Sequence, residues 1–143
     1  MHITSSAFEH NGRVPVKYTC NGKNTSPPLA IEDIPPGTES LAIIVDDPDA
    51  PGRTFVHWLI WDISPTGELA ENTAPGTQGR NDFGKSAYGG PCPPSGTHRY
   101  FFRVYALGTT LGIAEGSSRA DLERAMKGHV LAEAELIGLY SQS

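Results

Sequence analysis

Two runs of apolar residues predict the central strands of a β-rich fold. Residues 40–47 are almost continuously aliphatic, which is typical of a strand buried on both faces and central in its sheet. Residues 54–63 form a second predicted strand, in which alternate residues share a face. One face of this strand then consists of Phe55, His57, Leu59, Trp61 and Ile63.

A third strand follows a loop that is dense in glycine and proline, within residues 88–105. Its alternation predicts one face made of His98, Tyr100, Phe102 and Val104, and another made of Arg99, Phe101, Arg103 and Tyr105. The loop prolines would deliver His98 and Tyr100 to the rim of a sheet face, as the wall of a small polar pocket. The alternative is a tight turn that only leads into a core strand.

The remaining elements are predicted from shorter patterns. Strands are predicted at 3–8, 14–19, 29–34 and 131–140, with Asn11-Gly12 as a turn. A capping box from Ser118 to Asp121 predicts a short amphipathic helix over 119–128, with its Leu and Met in the core. Residues 64–87 read as a long connection, which in a compact domain is usually functional or covers something.

Composition agrees with many turns in a single domain of 143 residues. The chain has 16 glycines and 12 prolines, and this excess favours a β-rich fold. The net charge is −5 and no basic stripe is present, which argues against nucleic acid as a partner. No signal peptide and no membrane-spanning run is visible, so we expect a soluble cytoplasmic protein without stable membrane insertion.

The chain has two cysteines, Cys20 and Cys92, and their spacing fits no zinc motif. In a reducing cytosol we expect two buried thiols. A disulfide between them is the alternative for an oxidising compartment or a thermophilic host.

Acidic residues follow the first central strand, in the loop Asp47-Pro-Asp-Ala-Pro-Gly52. If the strands at 40–47 and 54–63 pair antiparallel, Asp47 lies near His57. A carboxylate beside an imidazole raises its pKa and fixes its tautomer. The alternatives are that Asp47 or Asp49 caps the turn through the backbone, and that His57 is a core histidine.

Three motifs in order resemble the phosphatidylethanolamine-binding protein family, in its bacterial and archaeal, Raf-kinase-inhibitor-like branch. They are Asp47-Pro-Asp-Ala-Pro51, His57-Trp58-Leu59, and Gly90-Pro-Cys-Pro-Pro-Ser-Gly-Thr-His-Arg-Tyr100. The resemblance covers essentially the whole chain. It implies a mainly β domain over 1–143, in which a central antiparallel sheet packs on a smaller sheet with one or two short helices.

The resemblance also implies a small anion pocket for phosphate or phosphoryl head groups, without a cofactor or metal. Carried over motif by motif, the ligand-binding residues are Asp47, Asp49, His57, Pro93, Pro94, His98 and Tyr100. The chain ends without the C-terminal helix that several eukaryotic members have, so we expect an open pocket. Lipid binding and kinase regulation, both known in the family, are therefore weakly supported.

Three functions are compatible with these residues. The favoured one is a non-catalytic module that binds a phosphorylated or anionic small molecule. The second is an inhibitor or regulator of a protease or kinase, with a homodimer left open. The third is a hydrolase, which would use Cys92 or Ser95 with His98 as base, or a metal held by His57, His98 and Asp47.

Overall fold

A computed structural model describes residues 1–142 as nine strands, one α-helix and one turn of 3₁₀-helix. The elements are β1 His2–Thr4, β2 Gly12–Arg13, the 3₁₀ turn Val16–Tyr18, β3 Leu29–Glu32, β4 Ser40–Asp47, β5 Phe55–Ile63, β6 Glu68–Leu69, β7 Thr77–Gln78, β8 His98–Leu107, α1 Arg119–Met126 and β9 Val130–Tyr140.

The strands form a six-stranded sheet and a three-stranded sheet. The larger sheet has the order β2-β9-β8-β4-β5-β7, and the smaller one has the order β1-β3-β6. All neighbours pair antiparallel except β2 and β9, which are parallel. All eight residues of β4 are buried between β8 and β5, which confirms the predicted central strand and the predicted fold class.

The larger sheet is covered on both faces. Side chains between the two sheets form the main core, which includes Ile31 and Leu69 from the smaller sheet and Trp58 and Phe102 from the larger one. On the opposite face a second cluster joins the sheet to Leu122 and Met126 of α1. Burial on both faces explains why residues 41–45 of β4 are all aliphatic.

The prediction that alternate residues from Phe55 to Ile63 share one face of β5 is wrong, because this strand contains two β-bulges. The register moves from Val45–Trp58 to Asp46–Val56, so His57 is an extra residue in β5. It moves again from Ile43–Ile60 to Leu41–Ile63, and Asp62 adopts a φ of 55° there. An extra residue reverses the side-chain alternation. Leu59 and Trp61 therefore pack towards α1, whereas Ile63 packs between the sheets.

The face prediction for β8 is confirmed, because this strand has no bulge between its first residue and Ala106. His98, Tyr100, Phe102 and Val104 are buried, and the intervening residues are half-buried or exposed.

The short N-terminal predictions are wrong in extent. Residues 14–19 contain a 3₁₀ turn and no strand, because Pro15 precedes Val16–Tyr18 as its N-cap and the chain turns there. The strand at 3–8 is limited to β1, and residues 64–87 contain the two-residue strands β6 and β7.

The cysteine prediction is also wrong. Cys20 and Cys92 form a disulfide with a Cα–Cα distance of 5.5 Å, and both residues are exposed. The loop before β8 lies against the segment after the 3₁₀ turn, where the Cys20 N–H donates to the Pro91 carbonyl at 3.1 Å.

The helix confirms the capping box. The Ser118 hydroxyl accepts from the Asp121 N–H, and the Asp121 carboxylate accepts from the Ser118 N–H, both at 3.1 Å. Within residues 1–142, helices are too short and polar for any of them to span a membrane.

Candidate functional site

Four predicted side chains meet where β4 ends and where β5 and β8 begin. Asp47 is the last residue of β4, His57 is the bulge near the start of β5, and His98 and Tyr100 begin β8. All four are at least nine-tenths buried. Antiparallel pairing brings the end of β4 and the starts of its two neighbours to the same edge of the sheet.

The shortest contact in this group joins Asp47 to His98. Asp47 Oδ2 accepts a hydrogen bond from His98 Nδ1 at 2.6 Å. The other carboxylate oxygen accepts from the Asp49 N–H at 2.8 Å, so Asp47 also caps the turn, as one alternative predicted. A carboxylate only accepts, so Nδ1 of His98 carries the proton and Nε2 faces away from Asp47.

Asp47 lies close enough to His57 for its charge to act on the imidazole, but no hydrogen bond joins the two among the described residues. The strand register places Asp47 opposite Phe55, and Val56 separates Phe55 from the bulged residue His57. His57 Nδ1 instead donates to the Gly89 carbonyl at 2.7 Å. Because a carbonyl only accepts, this bond fixes the neutral tautomer and leaves Nε2 of His57 as an acceptor.

The pKa of His57 moves opposite to the sequence prediction. Burial lowers it, since the charged imidazole loses its hydration, and the Gly89 carbonyl and the Asp47 charge only partly oppose this. Aromatic edges enclose the ring: Phe55, Phe83 and Tyr100 lie 5.0, 5.4 and 5.2 Å from it between centroids. The structure therefore presents a neutral imidazole in an apolar setting.

The Tyr100 hydroxyl is buried and has no hydrogen-bond partner within residues 1–142. Its ring lies 5.2 Å from the His57 ring and stacks 6.5 Å from the His98 ring. Burial raises the pKa of the phenol, and the nearby Asp47 charge raises it further, so the group stays a donor. The Asp47 carboxylate and the Cys92 backbone also act on the phenol, but neither gives the hydroxyl a hydrogen bond of normal geometry within residues 1–142. A buried hydroxyl without a well-formed hydrogen bond is costly, so this one is available as a donor beside two imidazoles.

Asp49 lies outside this group and pairs with Arg99. Its carboxylate accepts from the Arg99 backbone N–H and Nε at 2.9 Å and from Nη2 at 2.8 Å. The Arg99 hydrogen bonds lower the pKa of Asp49 to about 2. Asp49 thus fastens the loop after β4 to the start of β8. Arg99 was not singled out in the sequence, although its place beside His98 was visible.

The loop before β8 is anchored along its length. The Gly90 N–H donates to Asn24 Oδ1 at 2.8 Å, and the Tyr88 hydroxyl donates to the Tyr18 carbonyl at 2.8 Å. Pro93 is buried and accepts from Gln142 Nε2 at 2.6 Å, whereas Pro94 is exposed. This loop holds the wall of the site rigidly against the rest of the protein.

Sequence reasoning missed Phe83 and Gly89, which contact His57. Phe83 lies in the predicted connection, and an aromatic residue in a long loop was the available signal. Gly89 takes part only through its backbone, which side-chain patterns do not reveal.

Two observations bear on the alternative predictions of a hydrolase and of a metal site. Cys92 has no free thiol in the disulfide, and among the described residues the exposed Ser95 makes no hydrogen bond to His98. Within residues 1–142, no three His, Cys, Asp or Glu side chains are grouped so that they could hold a metal ion.

Comparison with known proteins places the chain among close relatives. The family model described as phosphatidylethanolamine-binding protein matches residues 4–141. A UPF0098 protein of Methanothermobacter thermautotrophicus is 49% identical, over 98% of this chain and 98% of its own length. A UPF0098 protein of Aquifex aeolicus is 48% identical, over 99% of this chain and 89% of its own.

Solved structures agree with the fold. A phosphatidylethanolamine-binding protein homolog from Chlamydia trachomatis superposes with a TM-score of 0.96 at 40% identity, covering 99% of this chain and 97% of its own. YbcL of E. coli, described as a member of the mammalian family, gives 0.92 at 33% identity, covering 99% and 98%.

Proposed function

Because the chain belongs to the phosphatidylethanolamine-binding protein family, we propose that it is a non-catalytic binding protein for the phosphate or phosphoryl group of small ligands. The site is the group of Asp47, His57, His98 and Tyr100. The observation that carries the proposal is the buried Tyr100 hydroxyl without a partner, next to two imidazoles whose Nε2 atoms are not used by the described residues.

The hydrogen-bonding pattern suits a phosphate monoester. Tyr100 can donate to one phosphoryl oxygen, and His98 can donate from Nε2 when it carries a second proton, while Asp47 accepts from Nδ1. His57 accepts at Nε2, so it matches a protonated phosphoryl oxygen. A monoester exchanges its second proton near pH 6, so both forms are available at physiological pH.

Affinity for inorganic phosphate should be modest. The four side chains include no arginine or lysine, and the protein has a net charge of −5. Binding therefore depends on desolvated hydrogen bonds more than on ionic attraction, and the organic part of a ligand has to contribute to its recognition.

The proposal is tested by proton–nitrogen NMR titration with phosphate, O-phosphorylethanolamine and a nucleotide. We expect saturable shifts at the backbone amides of His57, His98 and Tyr100. Tyr100→Phe removes only the hydroxyl and should weaken phosphate binding about tenfold or more, as expected for a hydrogen bond to a charged group.

The matched control is Tyr105→Phe, since Tyr105 is half-buried on the opposite face of β8. It should bind phosphate as the wild type does. Absence of shifts at millimolar phosphate, or equal loss in both variants, would overturn the proposal. The regulator of a protease or kinase would then be the function to test, by capture of host proteins.

A further inference from the structure

A cavity of about 330 Å³ adjoins the proposed phosphoryl site and includes Phe83, Lys85, Gly89 and Gly90 in its wall. If the proposed function holds, this cavity receives the part of the ligand that lies beyond its phosphoryl group.

The cavity and the site share a wall made of Phe83 and Gly89. The Phe83 ring meets the His57 ring edge-on at 5.4 Å, and His57 donates to the Gly89 carbonyl. A Cβ on Gly89 would lie 2.4 Å from Cδ2 of Phe83, so the ring rests directly on this backbone. A ligand arm that leaves the site beside His57 therefore passes Phe83, a residue that is 45% exposed.

A structured turn presents Phe83 and Lys85. The buried Asn81 side chain accepts from the backbone N–H groups of Phe83 and Lys85, both at 3.0 Å. Its amide also donates to the Ala87 carbonyl at 2.7 Å. Gly84 completes the turn with a φ of 83°, a conformation that other residues rarely adopt. The two side chains are thus held at the mouth of the cavity.

The cavity wall is positively charged. Lys85 is the one ionic side chain in its described lining, and within residues 1–142 its ammonium group makes no hydrogen bond or ion pair. Asp82 is the carboxylate of the same turn, and it is engaged by the Val56 N–H at 2.7 Å and by Arg53 at 3.5 Å. Arg80 lies against the same turn and adds to its positive charge.

From this arrangement we infer that the site prefers phosphate esters of small hydroxy acids, whose second negative charge is placed in the Phe83–Lys85 cavity. Phosphate esters with a terminal ammonium group, such as O-phosphorylethanolamine, meet an unpaired like charge there and bind more weakly. The protein as a whole is negative, with a net charge of −5, so the positive charge that favours hydroxy-acid esters over ammonium esters is confined to this cavity.

The experiment uses two probes of similar length and opposite terminal charge, 2-phosphoglycolate and O-phosphorylethanolamine. Their dissociation constants are measured by NMR titration for the wild type, Lys85→Glu and Lys127→Glu. Lys127 is exposed next to α1, so this control makes the same change in net charge away from the cavity.

We expect the wild type and Lys127→Glu to bind phosphoglycolate about fivefold tighter, and Lys85→Glu to reverse the preference. Equal affinities for the two esters in the wild type, or equal behaviour of the two variants, overturn the inference. Inorganic phosphate is titrated alongside. If it fails to bind to all three proteins, the proposed phosphoryl site itself is wrong.

Discussion

Removal of the Cys20–Cys92 disulfide should reduce stability strongly and leave the binding site assembled. The bond joins residues 72 apart in sequence, so it closes a long loop in the unfolded chain. Chain entropy for a loop of this length corresponds to roughly 4 kcal/mol at 25 °C. Both cysteines are exposed, so a Cys20→Ser/Cys92→Ser double variant loses little packing besides.

The folded double variant keeps the other hydrogen bonds in this region. The Cys20 N–H still donates to the Pro91 carbonyl, and the Gly90 N–H still donates to Asn24. The Tyr88 hydroxyl remains bonded to the Tyr18 carbonyl. Phosphate affinity of the double variant should therefore stay within about twofold of wild type wherever both are folded, because the loss acts mainly on the unfolded chain.

The assay is urea denaturation at 25 °C together with thermal unfolding. We expect the free energy of unfolding to fall by roughly 4 kcal/mol and the midpoint temperature to fall by about 10 °C. Dithiothreitol should lower the stability of the wild type to that of the variant and leave the variant unchanged. A loss below about 1 kcal/mol would refute the entropy argument. A loss of phosphate binding in the folded variant would refute the claim that the remaining bonds hold the loop.

Two further predictions concern His57 and Gly90. Burial lowers the pKa of His57, so below about pH 6.5 the unfolded chain binds a proton that the folded protein resists. Stability should therefore fall as the pH drops from 7 to 5, and His57→Gln should make this fall less steep in urea denaturation. An unchanged slope would contradict the assignment. A Cβ on Gly90 would lie 2.2 Å from the Tyr18 carbonyl oxygen, so Gly90→Ala should cost about 2 kcal/mol or more. Gly67→Ala, with its nearest contact at 3.7 Å, is the control and should cost less than about 1 kcal/mol. Equal costs for the two variants would show that the close approach is not rigid.

The elements that sequence patterns predicted well are those whose signals are local. An unbroken aliphatic run identified β4, regular alternation identified β8, and a capping box identified α1. Each of these signals depends on residues close together in sequence, and no bulge or turn interrupts the pattern in the structure. The N-terminal strands were overextended because Pro15 and a 3₁₀ turn interrupt a pattern that apolar residues alone do not reveal.

Four of the seven predicted site residues come together, whereas Asp49 pairs with Arg99 and Pro94 is exposed, and the contacts within the group were not predictable. Asp47, His57, His98 and Tyr100 come together as the motifs implied. Which histidine pairs with Asp47 depends on the strand register across two neighbours, and the disulfide depends on how distant loops meet. Neither property is encoded within one strand.

The bulge at His57 has chemical consequences, because it separates the roles of the two histidines. If the register of the Val45–Trp58 pair continued, His57 would lie opposite Asp46, whose carboxylate would favour the charged imidazole. The extra residue instead turns His57 to the Gly89 carbonyl, where burial among aromatic rings favours its neutral form, while Asp47 pairs with His98. One imidazole is thus oriented as a charge-assisted donor and the other as an acceptor. That pairing matches a phosphoryl group that carries both a negative oxygen and a proton.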